Sequence, residues 1–285
     1  MPPAAPPVPR GPLAVRWLGA TVEPPCAGAV GSALVELENA GSATWRPRPD
    51  GGIRLGSHWL DRLGNPIVWE GLRTELGGAV APGERRRLEA SVRGPIPPGR
   101  YRLAFDLVDE GRFWLAELGN EPLELELEVA PRIRRRLAVS VRAPGDPETE
   151  RALAAQEEPL VEESDADAVA YLAPGCLPAP DWSRRVLDAH EEGYAVVAGS
   201  IEPSGGPLGR RRAAAALGPW APGSGRVPAF SEAFLCPSVV RGLEVDWAED
   251  VEGLPAARRP DDRTFGEPWL YDGRIKLRAH RRSRS

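Results

Sequence analysis

Leu123-Glu-Leu-Glu-Leu-Glu-Val129 alternates apolar and acidic residues without a break. Successive side chains of an extended strand point to opposite faces, so this run is a strand with every apolar residue on one side and every glutamate on the wet other. Upstream the same period of two recurs in Leu13–Leu18, Ser32–Leu37, Ile53–Leu55, Ile67–Trp69, Arg87–Val92 and Tyr101–Val108. Turn compositions fall between them: Asn39-Ala-Gly-Ser42, Gly77-Gly78, Pro82-Gly83 and Pro97-Pro-Gly99. Short alternating strands separated by Gly/Pro turns predict a two-sheet, all-β immunoglobulin-like sandwich over residues 13–130.

Downstream the texture changes. Arg132–Arg136 reads as a basic linker (131–137), followed by β-like Leu137–Val141, a helix-permissive stretch over Glu148–Gln156 and apolar Ala168–Leu172. Asp181 is placed to cap a helix over Trp182–Glu192 that Gly193 ends, and Tyr194–Ala198 reads as a buried strand. Strand, helix, strand, helix, strand predicts a small α/β domain over 138–273. Trp269–Leu277 is a candidate last strand, and Gly205–Gly225 reads as including a mobile loop.

At 285 residues the chain has room for two cores, and its 32 prolines and 31 glycines favour many short strands. Lys276 is its one lysine beside abundant arginine, a bias pointing to a G- and C-rich bacterial genome. A net charge of −5 offers no clustered positive face for nucleic acid. The basic tail 274–285 reads as a frayed terminus or, alternatively, a membrane-surface or polyphosphate contact. Met1–Pro12 reads as a disordered leader without signal-peptide character, and no run is long enough to span a bilayer. Cys26, Cys176 and Cys236 lie far apart, with neither a disulfide framework nor zinc spacing, so a reducing, cytoplasmic setting is expected.

Several motifs bear a family likeness. Glu38-Asn-Ala-Gly-Ser-Ala-Thr-Trp45, His58-Trp-Leu-Asp61, Val68-Trp-Glu-Gly-Leu-Arg-Thr74, Ala81-Pro-Gly-Glu84, Pro98-Gly-Arg-Tyr101, Asp106-Leu-Val-Asp-Glu-Gly111 and Phe113-Trp114 follow one another in order. The series resembles a bacterial immunoglobulin-like module related to the four-tryptophan domain of autophagy receptors. That resemblance implies a partner-binding or accessory module, often attached to polysaccharide-related enzymes. The tryptophans read as core or rim packing or, for Trp59, Trp69 and Trp114, as rings that stack on sugar or peptide. Pro98-Gly99 ahead of Tyr101 builds a corner at which the tyrosine hydroxyl can bond to backbone. His58 has no carboxylate or cysteine at a spacing that supports a triad or metal site, and it is assigned no chemistry.

The second half resembles a shortened family-2 glycosyltransferase. The likeness rests on Ala138-Val-Ser-Val141, Ala152-Leu-Ala-Ala-Gln156, Asp165-Ala-Asp-Ala-Val-Ala-Tyr-Leu172, Pro178-Ala-Pro-Asp-Trp182 and Val196-Val-Ala-Gly-Ser-Ile-Glu-Pro203. It implies a GT-A-like fold in which aspartates after the apolar strand hold a diphosphate metal. Ala173-Pro-Gly175 stands there instead, so no metal and no cofactor are expected. Glu249-Asp250 falls where the family places its acceptor base, and His280, in the basic tail, is not expected to be a ligand. The expectation is a non-catalytic accessory protein of glycan metabolism, with a sandwich that binds a glycan or protein partner and a pseudo-glycosyltransferase domain. The alternative is an active, metal-independent or partner-completed glycosyltransferase with Asp250 as its base.

Overall fold

In the computed structural model, Glu124, Glu126 and Glu128 stand opposite Ala104, Arg102 and Arg100, while Leu123 and Leu125 oppose Phe105 and Leu103. The alternation of that strand therefore sorts its side chains as the sequence pattern requires, glutamates toward arginines and leucines toward a core. The structure describes residues 11–48, 51–142, 146–203, 220, 225–228, 233–251, 253–258 and 266–279; at 249–251 only the backbone is described. The leader up to residue 10, nearly all of the 205–225 loop and the tail from His280 onward lie outside the described residues. The chain divides into two compact units, Met1–Ala130 and Pro131–Ser285.

The first unit consists of β1 (Val15–Val22), β2 (Val30–Asn39), β3 (Pro47–Arg48), β4 (Gly51–Leu60), β5 (Pro66–Val68), β6 (Thr74–Glu75), β7 (Arg85–Arg93), β8 (Gly99–Asp109), β9 (Phe113–Trp114) and β10 (Leu123–Val129). One sheet runs β1-β2-β7. The other runs β10-β8-β4-β3, with β5 and β6 also on β4 and β9 on β8. Inward residues of both sheets make one core, among them Trp17, Val35, Leu37 and Val92 from the first and Leu55, Trp59, Leu103 and Phe105 from the second. Tyr101 donates its hydroxyl to the Pro97 carbonyl at 2.8 Å, fastening the corner at which β8 begins.

The second unit consists of β11 (Leu137–Val141), α1 (Pro147–Ala154), β12 (Ala168–Leu172), β13 (Cys176–Pro178), α2 (Trp182–Glu192), β14 (Val196–Pro203), β15 (Arg226–Pro228), β16 (Ala233–Leu235), β17 (Ser238–Val240), β18 (Asp246–Val251), β19 (Leu254–Arg258) and β20 (Trp269–Ala279). Asp146 caps α1 by accepting the Thr149 backbone N–H at 3.1 Å. Asp181 precedes α2, but its carboxylate pairs with Arg185 instead of capping the helix.

The expectation of a separate α/β, GT-A-like domain is overturned. The described residues contain two α-helices amid many strands, and the main sheet, β11-β12-β17-β14-β20-β13 with β15 on β20, is mixed. Only β11·β12 and β14·β20 run parallel; β12·β17, β13·β20, β14·β17 and β15·β20 are antiparallel. A further small sheet, β16-β19-β18, is antiparallel throughout. The physical reason lies in pairing. A helix between two strands makes an α/β layer only where the strands become parallel partners in one sheet. That condition is met once, by α1 between the parallel neighbours β11 and β12. The strands on either side of α2, β13 and β14, are not neighbours, since both flank β20, one antiparallel and one parallel, and the α/β arrangement does not extend through the sheet. Periodicity located these elements but carries no information about their partners.

The arginines read as a linker are fastened to the second unit. Arg132 pairs with Glu267 at 2.8 Å, Arg135 with Glu158 at 2.7 Å and Asp188 at 2.9 Å, and Arg136 with Asp167 at 2.7 Å. Arg274–Ala279 of the basic tail belongs to β20, and Arg274 pairs with Asp272 at 2.7 Å.

Candidate functional site

The side of the seven-stranded sheet facing away from the core carries an aromatic cluster, and its geometry follows from register. On β4 the core-facing residues are Leu55 and Trp59, so Gly56 and His58 face outward, opposite Asp106 and Ala104 of β8. The imidazole of His58 lies between two indoles. Its centroid is 4.1 Å from that of Trp69 with the planes 23° apart, and 4.2 Å from that of Trp114 at 59°. Trp69 and Trp114 meet edge to face at 6.2 Å.

Two glycines make room for this layer. A β-carbon on Gly56 would stand 2.8 Å from the Trp114 ring, and one on Gly71 would stand 2.4 Å from the Ser57 carbonyl oxygen. The absence of side chains lets Trp114 ride on β4 and lets the 69–73 segment hydrogen-bond to it, with the Gly71 N–H donating to Ser57 O at 3.0 Å. Arg73 completes the cluster from above. Its guanidinium sits 4.5 Å over the Trp114 ring, donates to the Gly71 carbonyl at 2.6 Å and pairs with Glu110 at 2.9 Å and with Glu70.

Exposure separates the three candidate tryptophans. Trp59 is 1% exposed in the core, where its N–H donates to the Arg93 carbonyl at 2.8 Å. Trp114 is 6% exposed and acts as a supporting wall, while Trp69 is 49% exposed. Trp69 is thus the one of the three with a face available to a ligand. Asp250 lies on the backbone of β18, and its side chain, like Glu249 and His280, lies outside the described residues. Among the described residues no group of three or more His, Cys, Asp or Glu is placed to hold a metal ion.

Two titratable groups under this layer are shifted by burial. His58 is 2% exposed, and its Nδ1–H donates to the Trp69 carbonyl, leaving Nε2 buried with no hydrogen-bond partner among the described residues. Burial holds its pKa below the ordinary 6.5, against the opposing pull of that carbonyl and of Glu70. The ring is therefore an uncharged support at neutral pH. Asp106 is fully buried, and burial raises its pKa to about 7 although it accepts the backbone N–H groups of Leu107 and Ala116.

Sequence reasoning weighed His58 without assigning it chemistry and did not single out Arg73, because what gives them a role is a stack assembled from residues 58, 69, 73 and 114. One signal was present in the sequence: Gly56 and Gly71 flank the histidine and the exposed tryptophan.

No family model matches the chain, and no curated protein matches it. Solved structures resemble it only distantly. The C-terminal domain of wzt is 13% identical over 43% of this chain and 76% of that one, with a TM-score of 0.30. The putative ApaA protein from Bordetella pertussis is 20% identical over 44% of this chain and all of that one, with a TM-score of 0.21. A family 123 glycoside hydrolase from Clostridium perfringens, described for glycolipid glycan hydrolysis, is 10% identical over 62% of this chain and 33% of its own length, at 0.21. Among the described residues no helix is long and apolar enough to cross a membrane.

Proposed function

We propose that the first unit is a glycan-recognition module that seats a sugar ring on Trp69. The observation that carries the reading is a half-exposed indole held in one pose by a stack on buried His58 and by the Trp114 edge. A rigid aromatic face binds a flat apolar surface with little loss of side-chain freedom, because its rotamer is already chosen. Glu70, which follows Trp69 in the chain, and Glu110, both paired with the Arg73 that lies over Trp114, offer acceptor oxygens of the kind that sugar hydroxyls donate to. A pyranose presents that combination of an apolar C–H face and a rim of hydroxyl donors.

The test is a glycan array followed by calorimetry on the hits, comparing wild type with Trp69→Ala. The reading expects at least one glycan ligand whose affinity falls tenfold or more in the variant, while the melting temperature stays within a few degrees of wild type. An array without hits, or a variant that binds as well as wild type, would sink it.

A further inference from the structure

The sequence separates Cys176 and Cys236 by sixty positions, yet the fold brings their sulfurs to 4.0 Å inside the core of the second unit, while Cys26 belongs to the first. Cys176 opens β13, a three-residue strand at the end of the main sheet that pairs with β20 alone. Cys236 forms the corner between β16 and β17, and its backbone N–H donates to the Pro255 carbonyl of β19 at 2.8 Å. At this corner φ is +45°, a left-handed conformation that residues with a side chain seldom adopt.

We propose that Cys176 and Cys236 are a disulfide-forming pair, which peroxide closes to tie the edge of the main sheet to the small β16-β19-β18 sheet. Bonded sulfurs stand about 2.05 Å apart, so closure brings the two about 2 Å nearer, which side-chain rotation and a small shift of an edge strand can supply. The two buried thiols are shielded in the closed fold, and reaction proceeds when β13 opens. A three-residue edge strand is the kind of segment that opens locally at the lowest cost.

Opening of β13 carries Cys176 out to peroxide while Cys236 stays at its corner, so the Cys176 thiolate is the first nucleophile. That thiolate attacks one oxygen of hydrogen peroxide, the O–O bond breaks, and the departing hydroxide takes up the thiol's proton as water, leaving a sulfenic acid. The Cys236 thiolate then attacks the sulfenic sulfur; the S–S bond forms and the sulfenic hydroxyl leaves with the Cys236 proton as a second water. Two thiols and one peroxide become one disulfide and two waters, the sulfurs losing the two electrons that the peroxide gains.

The test counts thiols in the full chain. Reduced protein is treated with a small excess of hydrogen peroxide, denatured, alkylated and digested without reductant. The expected result is loss of two alkylatable thiols, with Cys26 as the survivor, a cross-linked peptide joining Cys176 to Cys236, and a melting temperature several degrees above that of the reduced form. Cys176→Ser should leave Cys236 alkylatable under the same treatment. The proposal is overturned if both cysteines of wild type stay alkylatable, if Cys176 advances to the sulfinic acid without a cross-link, or if the cross-link involves Cys26.

Discussion

On the inner face of the seven-stranded sheet Trp59 is sealed, its N–H spent on the Arg93 carbonyl and its ring edge on Tyr101 at 6.2 Å. On the outer face of the same sheet Trp69 lies half in solvent, its ring backed by His58. The two tryptophans lie ten positions apart and bring similar apolar area, so residue type does not separate their roles. What separates them is the second layer. The opposite sheet closes over Trp59, whereas over the outer face the cover among the described residues is the 69–73 segment and Trp114, whose contact with Trp69 leaves that ring half exposed. Burial on one side makes a core, and partial cover on the other makes a preformed surface.

The sharpest way to break that comparison is to truncate the inner ring. Trp59→Ala should destabilise the first unit by about 3–5 kcal/mol, the range for a large aromatic removed from a packed core. Urea unfolding followed by tryptophan fluorescence measures it. A loss below about 1 kcal/mol would place Trp59 with the surface residues.

The second comparison is between carboxylates of the two units, and it reads out in pH. Asp106 of the first unit titrates near 3.8 unfolded and about 7 folded because burial penalises its charge. Below pH 3.8 both states hold the proton and the penalty is absent. Between 3.8 and about 7 the unfolded chain releases its proton first, so stability falls as pH rises, and above 7 it levels off. A shift of that size corresponds to roughly 4 kcal/mol at most. Asp167 of the second unit behaves oppositely: the hydrogen bond from Arg136 lowers its pKa, so its contribution is present above its ordinary pKa and fades as pH drops through the folded one. Carboxyl-carbon NMR of aspartate-labelled protein should show Asp106 titrating near neutrality and Asp167 only in acid. Asp106 titrating near 4 would remove the asymmetry.

These contrasts mark what the sequence disclosed. The alternation of Leu123–Val129 was legible because a strand's faces follow residue by residue, and helix Trp182–Glu192 because its apolar stripe and Gly193 are local signals. The Tyr101 corner was legible for the same reason. Strand partners in the second unit were not, since pairing between β14 and β20, some seventy positions apart, leaves no mark on either strand's own period. That is where the α/β expectation failed. Nor could three scattered cysteines disclose that two of them meet at 4.0 Å. Of the candidate tryptophans, spacing alone could not say which ring would be left uncovered, because that depends on where residues 66–75 and 113–118 lie in space.

The smallest expected effect is the most diagnostic. Trp69→Ala removes a ring that is already half solvated, so the stability lost is mainly the stack on His58, about 0.5–1.5 kcal/mol for an aromatic pair. The informative change is in His58 itself. Its pKa is held down chiefly by burial, and the Trp69 ring supplies part of that cover. Truncation admits water to the imidazole, charging becomes easier, and the His58 pKa should rise toward 6.5, measurable from its ring proton shifts across pH 4–8. The carbonyl that accepts from Nδ1 belongs to the backbone of residue 69 and survives the substitution, so loss of cover is tested without loss of that hydrogen bond. A His58 titration identical in wild type and variant would mean that the indole does not shield the ring, and the picture of Trp69 as a platform seated on a buried histidine would fail with it.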